Sequence, residues 1–153
     1  MKSKHKKILV KLSIVLPCYN ESKNIPLILK RVEEVKDDIP IELILVNNGS
    51  EDDSEEVLKK EFKKPKNKFA RCIHIKKNIG YGHGILTGLK AASGEFLSYS
   101  HADLQTDPKD IIDGFKRLLK FRNPRKVLMK GRRMKREPID LFFATGFQVV
   151  TNV

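Results

Sequence analysis

The chain has 153 residues, of which 40% are hydrophobic, and it carries a net charge of +12. This length fits one domain, and the hydrophobic fraction is enough to build a packed core. Cys18 and Cys72 show no metal-ligand spacing, which argues against a disulfide scaffold or a zinc site and favours a reduced, cytoplasmic location. No run approaches the roughly 20 apolar residues of a membrane-spanning helix, and the lysine-rich start lacks the hydrophobic region of a signal peptide.

Positive charge is concentrated in two stretches of the chain. Residues 1–11 hold five Lys and residues 116–136 hold eleven Lys or Arg, and neither stretch contains an acid. The rest of the chain is therefore mildly acidic. This distribution suits contact with an anionic membrane surface, a phosphate-rich ligand or nucleic acid. A solvated, lysine-rich surface is the alternative for both stretches.

Apolar runs of strand length alternate with segments of helical periodicity. The predicted strands are residues 12–16, 41–46, 70–75, 96–100 and 126–129, and helices are predicted at residues 25–35, 54–62, 84–92 and 108–119. Because the strands are apolar almost throughout, we predict a mostly parallel sheet covered by helices on both faces, a doubly wound α/β fold. Asn24 and Asp107 are the predicted N-caps of the first and fourth helices.

A glycine-rich stretch, NIGYGHGILTG, precedes the fourth predicted strand. It does not fit the spacing of a dinucleotide-binding G-x-G-x-x-G motif, because the third glycine would fall at Ile85 or Thr87, and the chain has no P-loop. Two interpretations stay open for Gly80, Gly82 and Gly84. They either let the backbone approach a ligand closely, or they serve tight packing and positive φ angles alone.

The stretch SHADLQTDP follows the fourth strand, at the edge where parallel sheets bind ligands. If the extended conformation persists, His101, Asp103 and Gln105 point to the same side. A Mg²⁺ or Mn²⁺ ion that accompanies a nucleotide diphosphate needs only one or two protein carboxylates. Asp103 is therefore the predicted anchoring ligand, with an ordinary solvated acidic loop as the alternative.

Four motifs, in this order, resemble those of the family 2 glycosyltransferases with the GT-A fold. They read IVLPCYNESKNIP, LILVNNGSEDDS, NIGYGHGILTGLKAASGEF and HADLQTDP. Within that family the chain is similar to the polyprenyl-phosphate sugar synthases, the group that includes the dolichol-phosphate mannose synthases, from about Leu12 to its end. A catalytic domain of this family is usually longer, so we expect an amino-terminal portion that holds the nucleotide side without the acceptor side.

The resemblance implies a set of functional residues. Those expected to bind the nucleotide-sugar are Pro17, Tyr19, Asn20, Glu21, Asn47, Asn48, Gly49, Ser50, Asn78, Gly80, Gly82, Ala102 and Arg133. The implied metal ligands are Asp103 and Gln105, with His101 at the position of a further family carboxylate, and the implied cofactor is Mg²⁺ or Mn²⁺. Catalytic roles are implied for Asp103 and for Arg132, which lies in a basic element, MKGRR, near the phosphates.

The sequence departs from the family pattern at two places. Asn47 and Asn48 stand where the family usually has two carboxylates, so amide hydrogen bonds to the base or ribose are expected to replace charge. His101 stands where the family has the first metal-binding carboxylate. A neutral imidazole ligates Mn²⁺ but is a poor partner for Mg²⁺, so we expect weaker metal binding or greater dependence on the diphosphate.

Residues 137–153 show an amphipathic helical pattern directly after the basic cluster. This composition is typical of a helix at a membrane interface, and a core helix of a larger domain is the alternative. The predicted organisation is therefore a basic tail at residues 1–11, a partial nucleotide-sugar-binding domain at residues 12–136 and this helix at residues 137–153.

The resemblance implies a metal-dependent, inverting glycosyltransferase. It would move a sugar from a UDP- or GDP-linked donor to a polyprenyl phosphate, as a peripheral protein at the cytoplasmic face of the membrane. A hydroxyl of a glycan or glycolipid is a second candidate acceptor. Two non-catalytic interpretations stay open as well: a degenerate, nucleotide-binding scaffold, and a nucleic-acid-binding module built on the basic segment. We expect a nucleotide-sugar, a lipid or glycan acceptor and a membrane surface as partners, and no nucleic acid.

Overall fold

A computed structural model of the protein describes residues 10–131. The strands are β1 (Leu12–Cys18), β2 (Ile41–Asn48), β3 (Ala70–Ile75) and β4 (Phe96–Tyr99). The α-helices are α1 (Ile25–Val35), α2 (Ser54–Glu61), α3 (Tyr81–Ala91) and α4 (Pro108–Leu118). Two short 3₁₀ helices span Pro65–Asn67 and Pro124–Lys126. Strands and helices alternate along the chain, as the apolar pattern predicts.

The strands form one parallel sheet with the order β3-β2-β1-β4. Strand β1 lies between β2 and β4, and all seven of its residues are buried. It pairs with β2 from Leu12 beside Ile41 to Cys18 beside Asn47. Because every strand runs in the same direction, the loops that follow the strands all leave from one edge, which we call the carboxyl edge. The loops that precede the strands lie at the opposite, amino edge.

Helices cover both faces of this sheet, which confirms the doubly wound α/β prediction. On one face the core contains Leu16, Leu43 and residues from α1, α2 and α4, among them Ile28. On the other face α3 covers a smaller cluster around Val15. Side chains alternate between the two faces along each strand, and burying each large aliphatic one contributes about 1.5–3 kcal/mol. The same apolar strands therefore supply core side chains to both faces of the sheet.

Gly88 in α3 lets this helix pack tightly against the sheet. A Cβ atom at this position would lie 2.3 Å from Cγ1 of Val15 and 3.0 Å from Cγ2 of Val46. Gly84, one turn earlier, lies against Pro17, which a Cβ atom would approach to 3.1 Å. Tight packing therefore explains Gly84 and Gly88, whereas a Cβ atom at Gly82 would meet nothing within 4 Å.

The prediction of a strand at residues 126–129 is wrong. Residues 124–126 form a 3₁₀ helix instead, and within the described range 10–131 the segment pairs with no strand. Leu128 is 94% exposed. A strand this short is stable only when a neighbouring strand completes its hydrogen-bond ladder. Three consecutive apolar residues, 127–129, predict a strand but cannot supply that neighbour.

Two further boundaries differ from the sequence predictions. Helix α3 begins at Tyr81 instead of residue 84, because Gly80, with φ of 114°, ends the extended segment and its carbonyl accepts a 3.4 Å hydrogen bond from the amide of Gly84. Asn24 occupies the N-cap position of α1, but its side chain donates to Glu21 at 2.6 Å and does not cap the helix. Pro26, in the first turn, accounts for the start of this helix without a side-chain cap.

Replacing Gly88 with Ala tests the close packing of α3 on the sheet. We expect Gly88→Ala to lower the free energy of unfolding by about 1–3 kcal/mol, because the added methyl group pushes against two buried valines. Gly82→Ala in the same helix is the matched control and is expected to be neutral or mildly stabilising. Chemical denaturation followed by circular dichroism measures both, and equal stability of the two variants would contradict the packing model.

Candidate functional site

Four loops follow the strands at the carboxyl edge and carry most of the predicted site residues. They span residues 19–24, 49–53, 76–80 and 100–107. Strands β1 and β2 end side by side, with Cys18 beside Asn47, and β3 ends with Ile75 beside Asn48. Strand β4 stops earlier, at Tyr99 beside Val15. The register of the sheet therefore brings the first three loops together. The fourth loop begins beside the middle of β1, closer to the amino edge than the other three.

Asn20 joins the first loop to the second. Its amide donates to Oγ of Ser50 at 3.0 Å, and its Oδ1 accepts from the amide of Glu51 at 2.8 Å. Asn20 has φ of 57°, a left-handed conformation that Asn tolerates better than most residues. Two of the predicted nucleotide-binding residues, Asn20 and Ser50, therefore hold each other in place.

Asp52 and Ser54 reinforce the same junction, and the sequence interpretation missed both. The Asp52 carboxylate accepts from the amide of Ser22 at 3.1 Å and from the amide of Ser54 at 3.0 Å. Oγ of Ser54, a fully buried residue, accepts from the amide of Glu21 at 3.1 Å. An Asp two residues before a Ser at the start of a helix is the sequence signal for such side-chain to backbone bonds. Partial burial disfavours the ionised carboxyl, but the bonds from Ser54 and Ser22 outweigh it and lower the pKa of Asp52.

The two asparagines at the end of β2 are buried structural amides. Oδ1 of Asn47 accepts from the amide of Ser50 at 3.1 Å. Nδ2 of Asn48 donates to Oδ1 of Asn78 at 3.1 Å and to the carbonyl of Gly80 at 3.2 Å. Both partners of Asn48 are acceptors, and an ionised carboxylate in its place has no proton to donate to them. Asn48, which stands where the family usually has a carboxylate, therefore joins β2 to the start of α3 through its side-chain N–H groups.

Other predicted nucleotide-binding residues support the carboxyl edge through packing. Pro17 is buried under Gly84, so it supports the site and is not open to a ligand. Gly49 has φ of 70°, and a Cβ atom there would lie 2.6 Å from the amide nitrogen of Asn78. The second and third loops consequently approach each other at a point where only glycine fits. Tyr19, 43% exposed, is accessible at the surface of the first loop.

The fourth loop does not continue the strand, so the predicted alternation of His101, Asp103 and Gln105 on one side is wrong. Strand β4 ends at Tyr99, bends follow from residue 102, and Leu104 has φ of 60°. Oδ1 of Asp103 accepts from the amide of Gln105 at 3.0 Å, which closes a turn around Leu104. A side chain-to-backbone bond of this kind competes directly with the extended conformation.

His101 stacks on the ring of Tyr81, the first residue of α3. The ring centroids lie 4.8 Å apart and the planes differ by 3°. The hydroxyl of Tyr81 donates to the carbonyl of Ser100 at 3.2 Å. Burial raises the pKa of Tyr81, and the nearby Tyr99 and Asp103 raise it further. Tyr81 therefore connects the start of α3 to the start of the fourth loop, close to Asp103.

Asp103, the metal ligand predicted from the sequence, does not belong to a cluster of candidate ligands in the described part of the chain. Within residues 10–131, no three His, Cys, Asp or Glu side chains are grouped closely enough to hold a metal ion. Asp103 is half-buried, Gln105 is exposed, and Ala102 beside them is buried. One carboxylate suits a divalent cation whose other ligands are phosphate oxygens and waters. The donor set therefore fits a cation that arrives with a diphosphate.

Asp107 ends the fourth loop and caps α4, as predicted from the sequence. Its Oδ1 accepts from the amide of Lys109 at 2.9 Å. The same carboxylate also receives two hydrogen bonds from the guanidinium of Arg31, at 2.9 and 2.7 Å. The bonds from Arg31 hold the pKa of Asp107 below its usual value. The sequence predicted the cap at Asp107 but not its ion pair with Arg31 on α1.

Two cations of the basic stretch at residues 116–136, Lys116 and Arg125, form ion pairs at the amino edge, opposite the site. Lys116, near the end of α4, pairs with Asp37, and Arg125 bonds to Glu95 at 2.8 Å. Asp37 and Glu95 lie in loops that precede β2 and β4. The loop at residues 62–69, which precedes β3, adds four Lys and no acid to this edge. These cations therefore lie at the edge of the sheet opposite the loop that carries Asp103.

Some predicted features fall outside the described residues 10–131. They are Arg132, Arg133, most of the basic tail at residues 1–11, and the amphipathic segment at residues 137–153. Within the described range, no helix combines the length and hydropathy needed to cross a membrane.

A parallel sheet with the loops that follow all four strands at its carboxyl edge is the architecture that GT-A glycosyltransferase domains share. The chain belongs to glycosyl transferase family 2, whose family model matches residues 13–140. The fold and the family inferred from the sequence motifs are thus confirmed.

Solved structures share this fold. One is the mannosyltransferase PcManGT from Pyrobaculum calidifontis in complex with GDP-Man and Mn²⁺, with a TM-score of 0.61 and 22% identity over 69% of this chain and 31% of that one. Another is glucosyl-3-phosphoglycerate synthase from Mycobacterium tuberculosis in complex with Mn²⁺, UDP and glucosyl-3-phosphoglycerate. Its TM-score is 0.59 and its identity 23%, over 74% of this chain and 41% of that one. At these identities the likeness shows the fold.

Relatives by sequence include undecaprenyl-phosphate 4-deoxy-4-formamido-L-arabinose transferases. The protein of this name from Photorhabdus laumondii is 32% identical over 142 residues, which cover 92% of this chain and 42% of the relative. The one from Pseudomonas syringae is 33% identical over 101 residues, covering 65% of this chain and 30% of the relative. The chain therefore spans less than half the length of these curated relatives.

The role of Asp52 can be tested through pH. Its folded-state pKa is lowered, so its ionised form stabilises the fold above the unfolded pKa of about 3.9, and that contribution is lost as pH falls through the folded pKa. We expect Asp52→Asn to be less stable than wild type by about 1 kcal/mol at pH 7. The difference should shrink as the pH falls below about 3.9.

Urea denaturation across this pH range measures the difference between the two proteins. Asp53→Asn is the matched control, because Asp53 is exposed and its side chain makes no capping hydrogen bond. A pH-independent difference for Asp52→Asn, or an equal effect of Asp53→Asn, would show that the Asp52 carboxylate does not join the two loops.

Proposed function

We propose that this chain is the nucleotide-sugar-binding part of a metal-dependent, inverting glycosyltransferase that transfers a sugar from a UDP- or GDP-linked donor to a polyprenyl phosphate. The observation that carries the proposal is the hydrogen-bonded junction of the first two loops, at the same edge of the sheet as the loop that carries Asp103. Membership of glycosyl transferase family 2 and the names of the undecaprenyl-phosphate transferase relatives support it. The two solved structures that contain Mn²⁺ with a nucleotide support the choice of donor.

The donor nucleoside is assigned to the first two loops and the start of α3. Tyr19 offers an exposed aromatic ring, and Glu21, half-buried, has a carboxylate that accepts from Asn24. Asn20 and Ser50 fix the loop geometry around them. Because these loops are held by side chain-to-backbone bonds before any ligand arrives, little ordering is needed on binding, which favours affinity. Gly80 and Gly82, both exposed, leave room for the donor at the start of α3.

Asp103 is assigned as the carboxylate that holds the cation, with Gln105 beside it. A bound Mg²⁺ or Mn²⁺ supplies positive charge that stabilises the diphosphate leaving group. The turn closed by Gln105 holds the Asp103 carboxyl in one orientation. His101 stacks on Tyr81 through the face of its ring, which leaves the in-plane nitrogens open to a cation, but a neutral imidazole is a poorer ligand than a carboxylate for Mg²⁺. We therefore infer that Asp103 is the main protein ligand and that the diphosphate completes the site.

The acceptor side of the reaction is assigned to chain beyond the described residues. A lipid phosphate carries its own ionised oxygen, which can attack the anomeric carbon without a strong general base. Arg132 and Arg133 follow directly on the described chain and are proposed to contact the phosphates, since guanidinium binds phosphate in a bidentate manner. Peripheral contact with the cytoplasmic membrane face is proposed for residues 137–153, because their amphipathic sequence pattern directly follows the basic stretch at residues 116–136.

Removing the Asp103 carboxylate tests the metal assignment. We expect Mn²⁺ to tighten the binding of GDP- or UDP-sugars to the wild-type chain, and Asp103→Asn to lose that gain, weakening binding in Mn²⁺ by about tenfold or more. Isothermal titration with and without Mn²⁺ measures the gain. Asp110→Asn, an exposed acid in the first turn of α4, is the control. An undiminished Mn²⁺ effect in Asp103→Asn rules out the assignment.

Restoring the family carboxylate at position 101 tests whether His101 in its place weakens metal binding. We expect His101→Asp to strengthen nucleotide binding in the presence of Mg²⁺ more than in Mn²⁺, because a carboxylate is a far better ligand than imidazole for Mg²⁺. Titrating each metal at a fixed nucleotide concentration measures this selectivity. His83→Asp adds the same charge at an exposed position in the first turn of α3. An equal gain in both variants would attribute the effect to charge alone.

A further inference from the structure

The fourth loop, residues 100–107, is fixed at both ends. At its start, the amide of Ser100 donates to the carbonyl of Val15 at 3.1 Å, and the carbonyl of Ser100 accepts from Tyr81. At its end, Asp107 caps α4. Asp103, the proposed metal ligand, lies midway between these anchors, so its position depends on how firmly each end is held.

The middle of the loop is strained. Leu104 adopts φ of 60°, a left-handed conformation that costs a non-glycine residue roughly 1–2 kcal/mol. Its side chain is partly buried against the core cluster under α1 and α4. Such a conformation persists only where the surroundings enforce it. The loop therefore needs neighbours that hold its two ends at a set distance while Leu104 packs underneath.

Arg31 on α1 provides that restraint at the far end. Its Nε and Nη2 bond to the two carboxylate oxygens of Asp107 at 2.9 and 2.7 Å, a paired geometry that Lys cannot reproduce. A third, longer contact of 3.4 Å joins Arg31 to Glu34 on its own helix. Arg31, Leu104 and Asp107 line one open groove of about 320 Å³ between α1 and α4. The guanidinium consequently holds the end of the loop from outside the ligand-binding edge.

We propose that Arg31 is a positioning residue for the metal-binding loop: by gripping Asp107 in a bidentate manner, it holds Asp103 where a nucleotide-bound cation can reach it. This inference rests on the proposed function for the identity of the ligand, but the restraint on the loop can be measured without any ligand. Arg31 itself touches neither the cation nor the donor.

The chain offers a matched control for this ion pair. Lys116 on α4 pairs with Asp37, just beyond the end of α1, so it joins the same two helical regions at the opposite, amino edge. Arg31→Gln and Lys116→Gln each remove one cation and one link between these regions. Only the first of the two touches the fourth loop. Arg31→Lys keeps the charge but cannot form both bonds, so it separates charge from geometry.

Amide hydrogen exchange and nucleotide titration together decide the proposal. In Arg31→Gln we expect faster exchange in residues 101–107, and Mn²⁺-dependent binding of a GDP- or UDP-sugar weakened about tenfold with little change in Mn²⁺-free binding. Arg31→Lys should be intermediate. Lys116→Gln should match wild type in both measurements, even if its thermal stability falls as much as that of Arg31→Gln.

Unchanged exchange in the fourth loop of Arg31→Gln overturns the positioning role, and so does an equal effect of Lys116→Gln. A wild-type chain that shows no Mn²⁺-dependent gain in nucleotide binding overturns the proposed function instead, while the exchange measurement still decides whether Arg31 restrains the loop. If Arg31→Gln weakens binding equally with and without Mn²⁺, the residue acts on the whole site, and the specific role in placing Asp103 is wrong.

Discussion

Parallel pairing of β1 with a strand on each side is the constraint on which the rest of the structure depends. Strand β1 is buried throughout and pairs in parallel with both β2 and β4, and a crossover helix between successive strands keeps them all in one direction. All the loops that follow strands must then emerge at one edge. The local chemistry of the site is a consequence of this pairing, since the residues concerned are far apart in sequence and meet only there.

A second layer of order comes from polar side chains that bond to the backbone of neighbouring loops. Asn20, Asp52 and Ser54 each satisfy amides that would otherwise be left without protein partners at the ends of β1 and β2. The side-chain amide of Asn48 donates to the carbonyl of Gly80 and so joins β2 to the start of α3. These residues give the carboxyl edge a defined shape without help from a ligand. Much of the polar side-chain chemistry at the carboxyl edge is thus used to hold the loops in place.

The sequence was sufficient for the architecture and for the neighbourhood of the site, because both follow from apolar periodicity and motif order. The positions of β1, β2 and β3 and the cap at Asp107 could be predicted because each depends on local pattern. Two missed features were decided by distant contacts: Arg31 reached Asp107 from another helix, and residues 126–129 had no strand to pair with within residues 10–131. A third was local, because a turn between Asp103 and Gln105 takes Leu104 out of the extended conformation that the apolar run predicted.

The separation of charge between the two edges of the sheet has a consequence for how an anionic ligand arrives. Lysine-rich loops lie at the amino edge, whereas the carboxyl edge carries acids such as Glu51, Asp52 and Asp103. The third loop also places Lys76 and Lys77 at the carboxyl edge, so an arriving anion meets both signs of charge there. Salt screens these charges over about 8 Å at physiological ionic strength, so they act on a phosphate-bearing molecule only once it is close to this edge.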